Sequence, residues 1–231
     1  EKDAQYQLED SESTILIVDE EQYPILESIR EKLPRLKNVI VVGEERHPDT
    51  CLFKELIEKY PPNPPKVKIN PKKDLAVLQY TAGTTGLPKG CMLTHYNIVS
   101  NMFQLAITHG LEGTREDIVL AHLPFYHIYG MTTLICASVC FGLSIVISKR
   151  FDMEEFLGLI QKFKVTVVGT VMPVLTLLTQ FPDLLEQYDL SSLRYISSGA
   201  TPMVPETARK FEKLTGVTVT QGYGLSETSP V

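Results

Sequence analysis

Residues 193–224 read LRYISSGATPMVPETARKFEKLTGVTVTQGYG. The run LRYISSG (193–199) has strand character and ends in glycine, residues 204–214 carry apolar positions at helical spacing, and VTVTQGYG (217–224) is a second strand candidate. Strand, helix and strand within about 30 residues is the unit from which parallel sheets covered by helices are built. The same alternation continues outward. LAVLQYT (75–81), DIVLAHL (117–123), LSIVIS (143–148) and VTVVGT (165–170) are further strand candidates, and residues 152–164 read as a helix with Asp152 as its N-cap. Nearer the start, TILIVD (14–19) and NVIVVG (38–43) read as strands, with helical patterns at 21–33 and 51–60. PPNPPK (61–66) can continue neither element and reads as a stiff connector. The expectation is an α/β chain with parallel sheets flanked by helices: a segment at 1–60, a connector at 61–74 and a larger part at 75–231, all one domain.

Composition narrows the function classes. The 231 residues include 22 basic and 28 acidic side chains, a net charge of −6, which disfavours a nucleic-acid binder. Cys51, Cys91, Cys136 and Cys140 are too few for a disulfide scaffold in a chain this long and read as reduced thiols of a cytoplasmic protein. The opening EKDAQYQLEDSE has mixed charge and does not read as a signal peptide. Residues 128–148, IYGMTTLICASVCFGLSIVIS, hold no charge and are long enough to span a bilayer. Gly130, Gly142 and the interspersed Thr and Ser argue instead for a buried helix and strand divided at Gly142. No transmembrane segment is expected; peripheral membrane contact stays open.

In parallel α/β folds, ligands bind beyond the carboxyl ends of the strands, so the loops there carry the chemistry. TAGTTGLPKG (81–90) follows an apolar strand and offers flexible backbone N–H groups, Thr hydroxyls and Lys89 to phosphate oxygens. It is no Walker loop, because Pro88 precedes the lysine and Gly90 follows it. The competing reading is a polar surface turn. In QGYGLSET (221–228), Tyr223 between two glycines can offer a ring face to a planar ligand, Ser226 can donate to a phosphate, and Glu227 is a hard oxygen ligand suited to Mg²⁺. SSGATP (197–202) lets a ligand approach the backbone closely, or is an ordinary strand-to-helix turn. LPFYHIYG (123–130) places His127 among aromatics, where a lone histidine is more often core than functional. Cys136 and Cys140 share a helix face but have no further Cys or His spaced for a metal.

Together, TAGTTGLPKG, LPFYHIYG, SSGATP and QGYGLSET resemble, in order and spacing, the adenylate-forming (AMP-binding) superfamily. The likeness covers the whole chain, and the HIYG form is most similar to fatty-acyl and 4-coumarate-type CoA ligases. It implies a piece of the large N-terminal domain without the C-terminal domain and its adenylation lysine, so the chain alone is expected to bind nucleotide weakly and to be inactive. The implied reaction joins a carboxylic acid to ATP, giving acyl-AMP and pyrophosphate, and then passes the acyl group to coenzyme A.

Carried over residue by residue, the resemblance assigns Thr81, Thr84, Thr85 and Lys89 to the β- and γ-phosphates. Glu227, with Thr84, would hold Mg²⁺, and Ser226, where threonine is commoner, would meet the α-phosphate. Tyr223 would stack on adenine, with Gly199, Ala200, Thr201, Gln221, Gly222 and Gly224 forming the rest of the nucleotide slot. His127 would orient the acyl carboxylate; Tyr129, Thr133 and Gly199 would line the acyl pocket, with residues 129–140 as its wall. His127, Lys89 and Glu227 are the implied catalytic residues. Ala82 departs from the usual Ser or Gly and removes one possible hydroxyl contact. Two rivals stay open: a phosphotransferase with an unusual phosphate loop, and a non-catalytic nucleotide-binding module.

Overall fold

A computed structural model describes residues 1–81, 86–109 and 116–231. The chain falls into two compact units, one made of Glu1–Ile69 with Tyr80–Gly90, the other of Asn70–Gln79 with Cys91–Val231.

The first unit carries α1 (Lys2–Asp10), β1 (Ile15–Asp19), α2 (Tyr23–Ile29), β2 (Asn38–Val42), β3 (Cys51–Leu52) and α3 (Phe53–Lys59). Its three strands are parallel in the order β1-β2-β3. Tyr23, Leu26 and Ile29 of α2 pack with Val39, Val41 and Leu52 on one face of the sheet, and Ala4 and Leu8 of α1 join that cluster. The other face brings Ile15, Ile17 and Val42 to the surface. Two sequence expectations change here. Residues 21–33 form a shorter α-helix between two 3-10 turns, because Pro24 fits only a first helical turn. Cys51 and Leu52, read as helix, pair instead with Ile40 and Val41 as a short strand, which buries Leu52.

Strands β4 (Leu75–Thr81) and β5 (Lys89–Thr94) form a two-stranded sheet, and α4 (His95–His109) follows directly. Periodicity had pointed to neither β5 nor α4. In the second unit, β6 (Ile118–Ala121), β7 (Ser144–Ile147), β8 (Val167–Val171), β9 (Tyr195–Gly199) and β10 (Thr218–Gln221) make a fully parallel sheet in the order β10-β9-β8-β6-β7. The chain steps from β6 to β7 on one side and returns to β8 on the other, so the winding reverses between β6 and β8. At such a reversal the crossover helices part to opposite faces and leave a crevice at the strand ends.

One face is covered by α6 (Met153–Phe163), α7 (Met172–Gln180), the short α8 (Pro182–Leu185) and α9 (Pro205–Thr215). Phe156, Leu157, Ile160, Leu175, Leu178 and Phe211 bury there against Leu120, Val168 and Ile196. Asp152 caps α6 as the sequence implies, its carboxylate accepting the Glu155 N–H at 2.9 Å. On the opposite face, α4 and the uncharged run 129–141 pack over Val119, Ala121 and Val167. That run divides where expected. A π-helical turn (Tyr129–Cys136) passes into α5 (Ala137–Phe141), which stops at Gly142 in the left-handed region, φ +68°. Among the described residues, no helix is long and apolar enough to cross a membrane.

A buried polar tie sets the register at the amino ends. Asp117, 2% exposed, accepts from Arg194 Nη1 at 2.8 and 2.9 Å and from Thr166 Oγ1 at 2.7 Å. Thr166 Oγ1 accepts the Ile118 N–H at 3.0 Å, and the Arg194 N–H donates to Thr166 O at 2.8 Å. The three residues immediately precede β6, β8 and β9. Arg194→Met should remove a charged donor from a buried carboxylate. We expect a loss of about 2–3 kcal/mol in denaturant unfolding, below the fully buried case because the Arg194 side chain is 43% exposed.

At the other end of β6, His122 is buried against Phe151 and Phe156, ring centroids 5.9 and 5.1 Å away. Burial lowers its pKa from 6.5 to about 4, opposed in part by a backbone hydrogen bond at Gly169. Between those values the unfolded chain binds the extra proton and the folded chain does not. The His122 contribution is therefore whole above pH 6.5 and is lost as pH falls toward 4, by about 3 kcal/mol in all. Unfolding curves at pH 7 and pH 5 should diverge less for His122→Phe than for the parent protein.

Candidate functional site

The carboxyl ends of β6, β8, β9 and β10 converge on one cavity of ≈ 230 Å³ in the second unit. Strand alternation builds its floor: Val119 of β6, Val167 and Gly169 of β8, and Tyr195, Ser197 and Gly199 of β9 all point to the same side. Leu105 of α4 and Tyr129, Thr133, Leu134 and Ala137 of the run 129–141 form the wall. Gly222, Gly224, Leu225, Ser226, Pro230 and Val231 close the end nearest the last loop.

Tyr129 divides this space. Its Oη donates to Ser197 O at 3.2 Å, and its ring lies over Gly169 and Gly199. A Cβ on Gly169 would stand 3.3 Å from the Tyr129 oxygen and 3.1 Å from Leu134 Cδ2, so glycine at that point is what lets the wall settle onto the floor. Burial pushes the Tyr129 phenol up to about 12, which keeps it a neutral donor. The loop before it is equally tight. Gly130 packs so closely on the Pro124 carbonyl that an added Cβ would lie 2.3 Å from the oxygen. The π-helical turn that begins at Tyr129 is a geometry enriched at functional sites.

His127 is exposed at this loop, and its Nδ1 accepts the Tyr129 N–H at 3.1 Å. With Nδ1 committed as acceptor, the neutral ring carries its proton on Nε2, so His127 offers a donor to a ligand at the cavity mouth. Among the described residues, no Asp, Glu, Lys or Arg side chain lines the cavity. Charge recognition there falls to His127, the hydroxyls of Thr133, Ser197 and Ser226, and backbone N–H groups. At the end of β9, Ala200 sits at φ +64°, and the Gly222 N–H donates to Ser198 O at 2.9 Å, drawing the β10 loop onto the β9 loop.

The last loop is held by its own bonds. The Leu225 N–H donates to Thr228 Oγ1 at 2.8 Å, Thr228 Oγ1 donates to Pro230 O, and Asn101 Nδ2 of α4 donates to Val231 O. Glu227 lies exposed on the 3-10 turn Ser226–Thr228.

Of the residues singled out from sequence, His127, Tyr129, Thr133, Gly199, Ala200, Gly222, Gly224 and Ser226 line the one cavity. Gln221 ends β10 beside it, and Tyr223 stands 80% exposed, its ring turned to solvent. Thr201 lines a separate shallow recess with Met172, Thr176 and Pro202. Thr81 and Lys89 belong to the other unit, at the end of β4 and the start of β5, where Thr81 Oγ1 reaches Lys89 O at 3.5 Å. Thr84 and Thr85 lie outside the described residues. Sequence reasoning missed Val119, Val167, Gly169 and Tyr195, while Ser197 stood at the start of the SSGATP stretch. The signal was there: stepping back two residues at a time from Gly199 gives Ser197 and Tyr195. Leu105 gave no such signal.

A family profile described as AMP-binding enzyme matches residues 1–231. The chain belongs to the AMP-binding enzyme family. Among relatives, 4-coumarate–CoA ligase 1 of Petroselinum crispum is 37% identical over 199 residues, 84% of this chain and 36% of that protein. The long-chain-fatty-acid–CoA ligase of Bacillus subtilis (strain 168) is 34% identical over 259 residues, 100% of this chain and 45% of that protein. The crystal structure of a long-chain-fatty-acid–CoA ligase from Archaeoglobus fulgidus superposes with a TM-score of 0.87 at 31% identity, over 99% of this chain and 46% of that one. The chain therefore spans less than half the length of these AMP-binding relatives.

The two loop glycines make a discriminating pair. A Cβ on Gly224 would stand 1.8 Å from the Pro230 backbone oxygen, whereas one on Gly222 would meet only Val231 Cγ1 at 3.9 Å. Gly224→Ala should cost about 1–3 kcal/mol in denaturant unfolding, and Gly222→Ala within about 0.5 kcal/mol.

Proposed function

We propose that the protein carrying this chain activates a carboxylic acid with ATP, forming an acyl-adenylate and pyrophosphate, and then passes the acyl group to the thiol of coenzyme A. The observation that carries this reading is the cavity: an apolar, uncharged chamber whose mouth gathers His127 and the β9 and β10 loops. Such a chamber takes the hydrocarbon part of an acid and leaves its carboxylate at the mouth, where ATP chemistry would occur. The family match and the CoA-ligase relatives support the same reaction class.

In this reading, His127 Nε2–H donates to the acyl carboxylate and aims it, with Nδ1 locked by the Tyr129 N–H. Gly199, Ala200, Gly222 and Gly224 leave room for the nucleotide against the backbone, flanked by Thr201 and Gln221, and the exposed ring of Tyr223 is free to stack on adenine. Ser226 meets the α-phosphate; Thr81, Thr84, Thr85 and Lys89 meet the β- and γ-phosphates. An anion must approach a polyanion here, so positioning and charge neutralisation decide the rate.

Glu227 is exposed and makes no ion pair among the described residues, and Mg²⁺ is commonly held by one or two carboxylates plus phosphate oxygens. The residue therefore fits a Mg²⁺ site, with Thr84 as a second contact. The ion would neutralise phosphate charge. A cytoplasmic setting, which supplies ATP and coenzyme A and keeps the four free cysteines reduced, goes with this reading.

For the acid, the aliphatic lining of Leu105, Val119, Leu134, Leu143 and Val167 supports a fatty acid. A second reading, an aryl acid of the 4-coumarate type, is favoured by the rings of Tyr129 and Tyr195 across a chamber of only ≈ 230 Å³.

Carboxylate-dependent ATP–pyrophosphate exchange in the intact protein, with short, medium, long-chain and aromatic acids, tests the proposal. Glu227→Gln should cut exchange on the order of a hundredfold, and His127→Ala should raise the acid requirement about tenfold, the value of one hydrogen bond to a charged group. Transfer of the ATP γ-phosphate without pyrophosphate release would instead make the protein a phosphotransferase.

A further inference from the structure

Helix α1 holds Tyr80, near the end of β4, and Pro88, just before β5, and all the residues involved lie in the first unit. At β4, Tyr80 Oη donates to Asp10 Oδ2 at 2.6 Å and lies 3.4 Å from Gln7 O. Before β5, Tyr6 Oη donates to Pro88 O at 3.0 Å. The two tyrosine rings meet edge to face, centroids 6.4 Å apart at 80°. Burial, and after it Asp10, pushes the Tyr80 phenol up to about 12, so this bond keeps its proton at any working pH.

The Tyr6 contact has a specific mechanical consequence. The peptide between Pro88 and Lys89 is a rigid plane, and proline already fixes its own φ. Holding the Pro88 carbonyl therefore fixes the orientation of the plane from which Lys89 departs. The buried face of α1 adds little else: Ala4 and Leu8 are only partly buried against the core, and no residue of the helix is fully buried. The two phenol hydrogen bonds are its polar ties to Tyr80 and Pro88.

We propose that Tyr6 is a positioning residue for the nucleotide's β- and γ-phosphates, acting through the Pro88 carbonyl to set where Lys89 stands. The inference rests on the reading of Lys89 as a contact to those phosphates. Tyr6→Phe keeps the ring, and with it the packing on Tyr80, and removes only the donor.

The test is equilibrium binding of ATP and of AMP to the intact protein, its Tyr6→Phe variant and its Lys89→Ala variant, with a denaturant midpoint for each. AMP lacks the phosphates in question and serves as the internal control. The expected result is ATP binding weakened about three- to tenfold by Tyr6→Phe, the value of one neutral hydrogen bond, with AMP binding unchanged. Lys89→Ala should weaken ATP binding more, about tenfold or beyond, again sparing AMP.

If Lys89→Ala weakens ATP binding and Tyr6→Phe does not, the positioning role falls and the reading of Lys89 stands. If Lys89→Ala leaves ATP binding unchanged, the phosphate reading falls and takes this inference with it. Equal weakening of ATP and AMP by Tyr6→Phe, or a lowered midpoint with unchanged ATP binding, would make Tyr6 a packing residue only.

Discussion

The buried carboxylate of Asp117 is the constraint on which the rest of the site depends. It stands at the amino end of β6 and is shared by Thr166 and Arg194, the residues just before the next two strands of the sheet, β8 and β9. A carboxylate out of water must be matched by donors, and only one relative sliding of β6, β8 and β9 supplies them. The cavity floor lies one to five residues further along those strands. A slip of one residue would send Val119, Gly169 and Ser197 to the opposite face and put Leu120, Val168 and Ile196 into the cavity. Polar chemistry at one end of the sheet thus fixes an apolar surface at the other.

That floor explains why no charged side chain among the described residues lines the cavity. The same strands feed the apolar core through their alternate residues, and helices cover both faces, so a charged side chain on the floor would be costly. His122 shows the cost of a titratable group in this setting: at the carboxyl end of β6, on the core side, it is held neutral. His127, five residues on, has left the sheet, is exposed, and has one ring nitrogen already committed. Two histidines five residues apart are divided into a buried and an exposed one by which side of the sheet plane each occupies.

Most strands of the parallel sheets and several of their helices were legible because period, β-branched runs and glycine breaks agreed there, from Asp152 capping α6 to Gly142 ending α5. Where reading failed, a tertiary partner had overridden local period: Cys51 and Leu52 joined β2 as a strand, and β5 paired with β4 despite a Pro-Lys-Gly start that local pattern marks as turn. Eight of the residues named from the loops gather in one cavity, because strand-end glycines advertise close backbone approach. The aliphatic floor was not read out, since Val119 and Val167 look the same in sequence whether they face a cavity or a core. Tyr223 shows a further limit. Its flanking glycines announce an exposed ring, and that exposure is all the free fold displays.

The size of the chamber is a balance between one side chain that is present and two that are missing. Tyr129 could not lie across the sheet if Gly169 or Gly199 carried larger groups, and its hydroxyl could not reach Ser197 O if the ring stood higher. A phenylalanine would fill the same area but leave the Ser197 carbonyl without that donor. The hydroxyl therefore converts a packing preference into a fixed height of the ring above the floor. Breaking that bond would widen the chamber and adding atoms at either glycine would crowd it, so these three positions on three different elements help to set its capacity. The capacity of the chamber is accordingly a property of the sheet register as much as of any wall residue, which returns the matter to the carboxylate at the far end of β6.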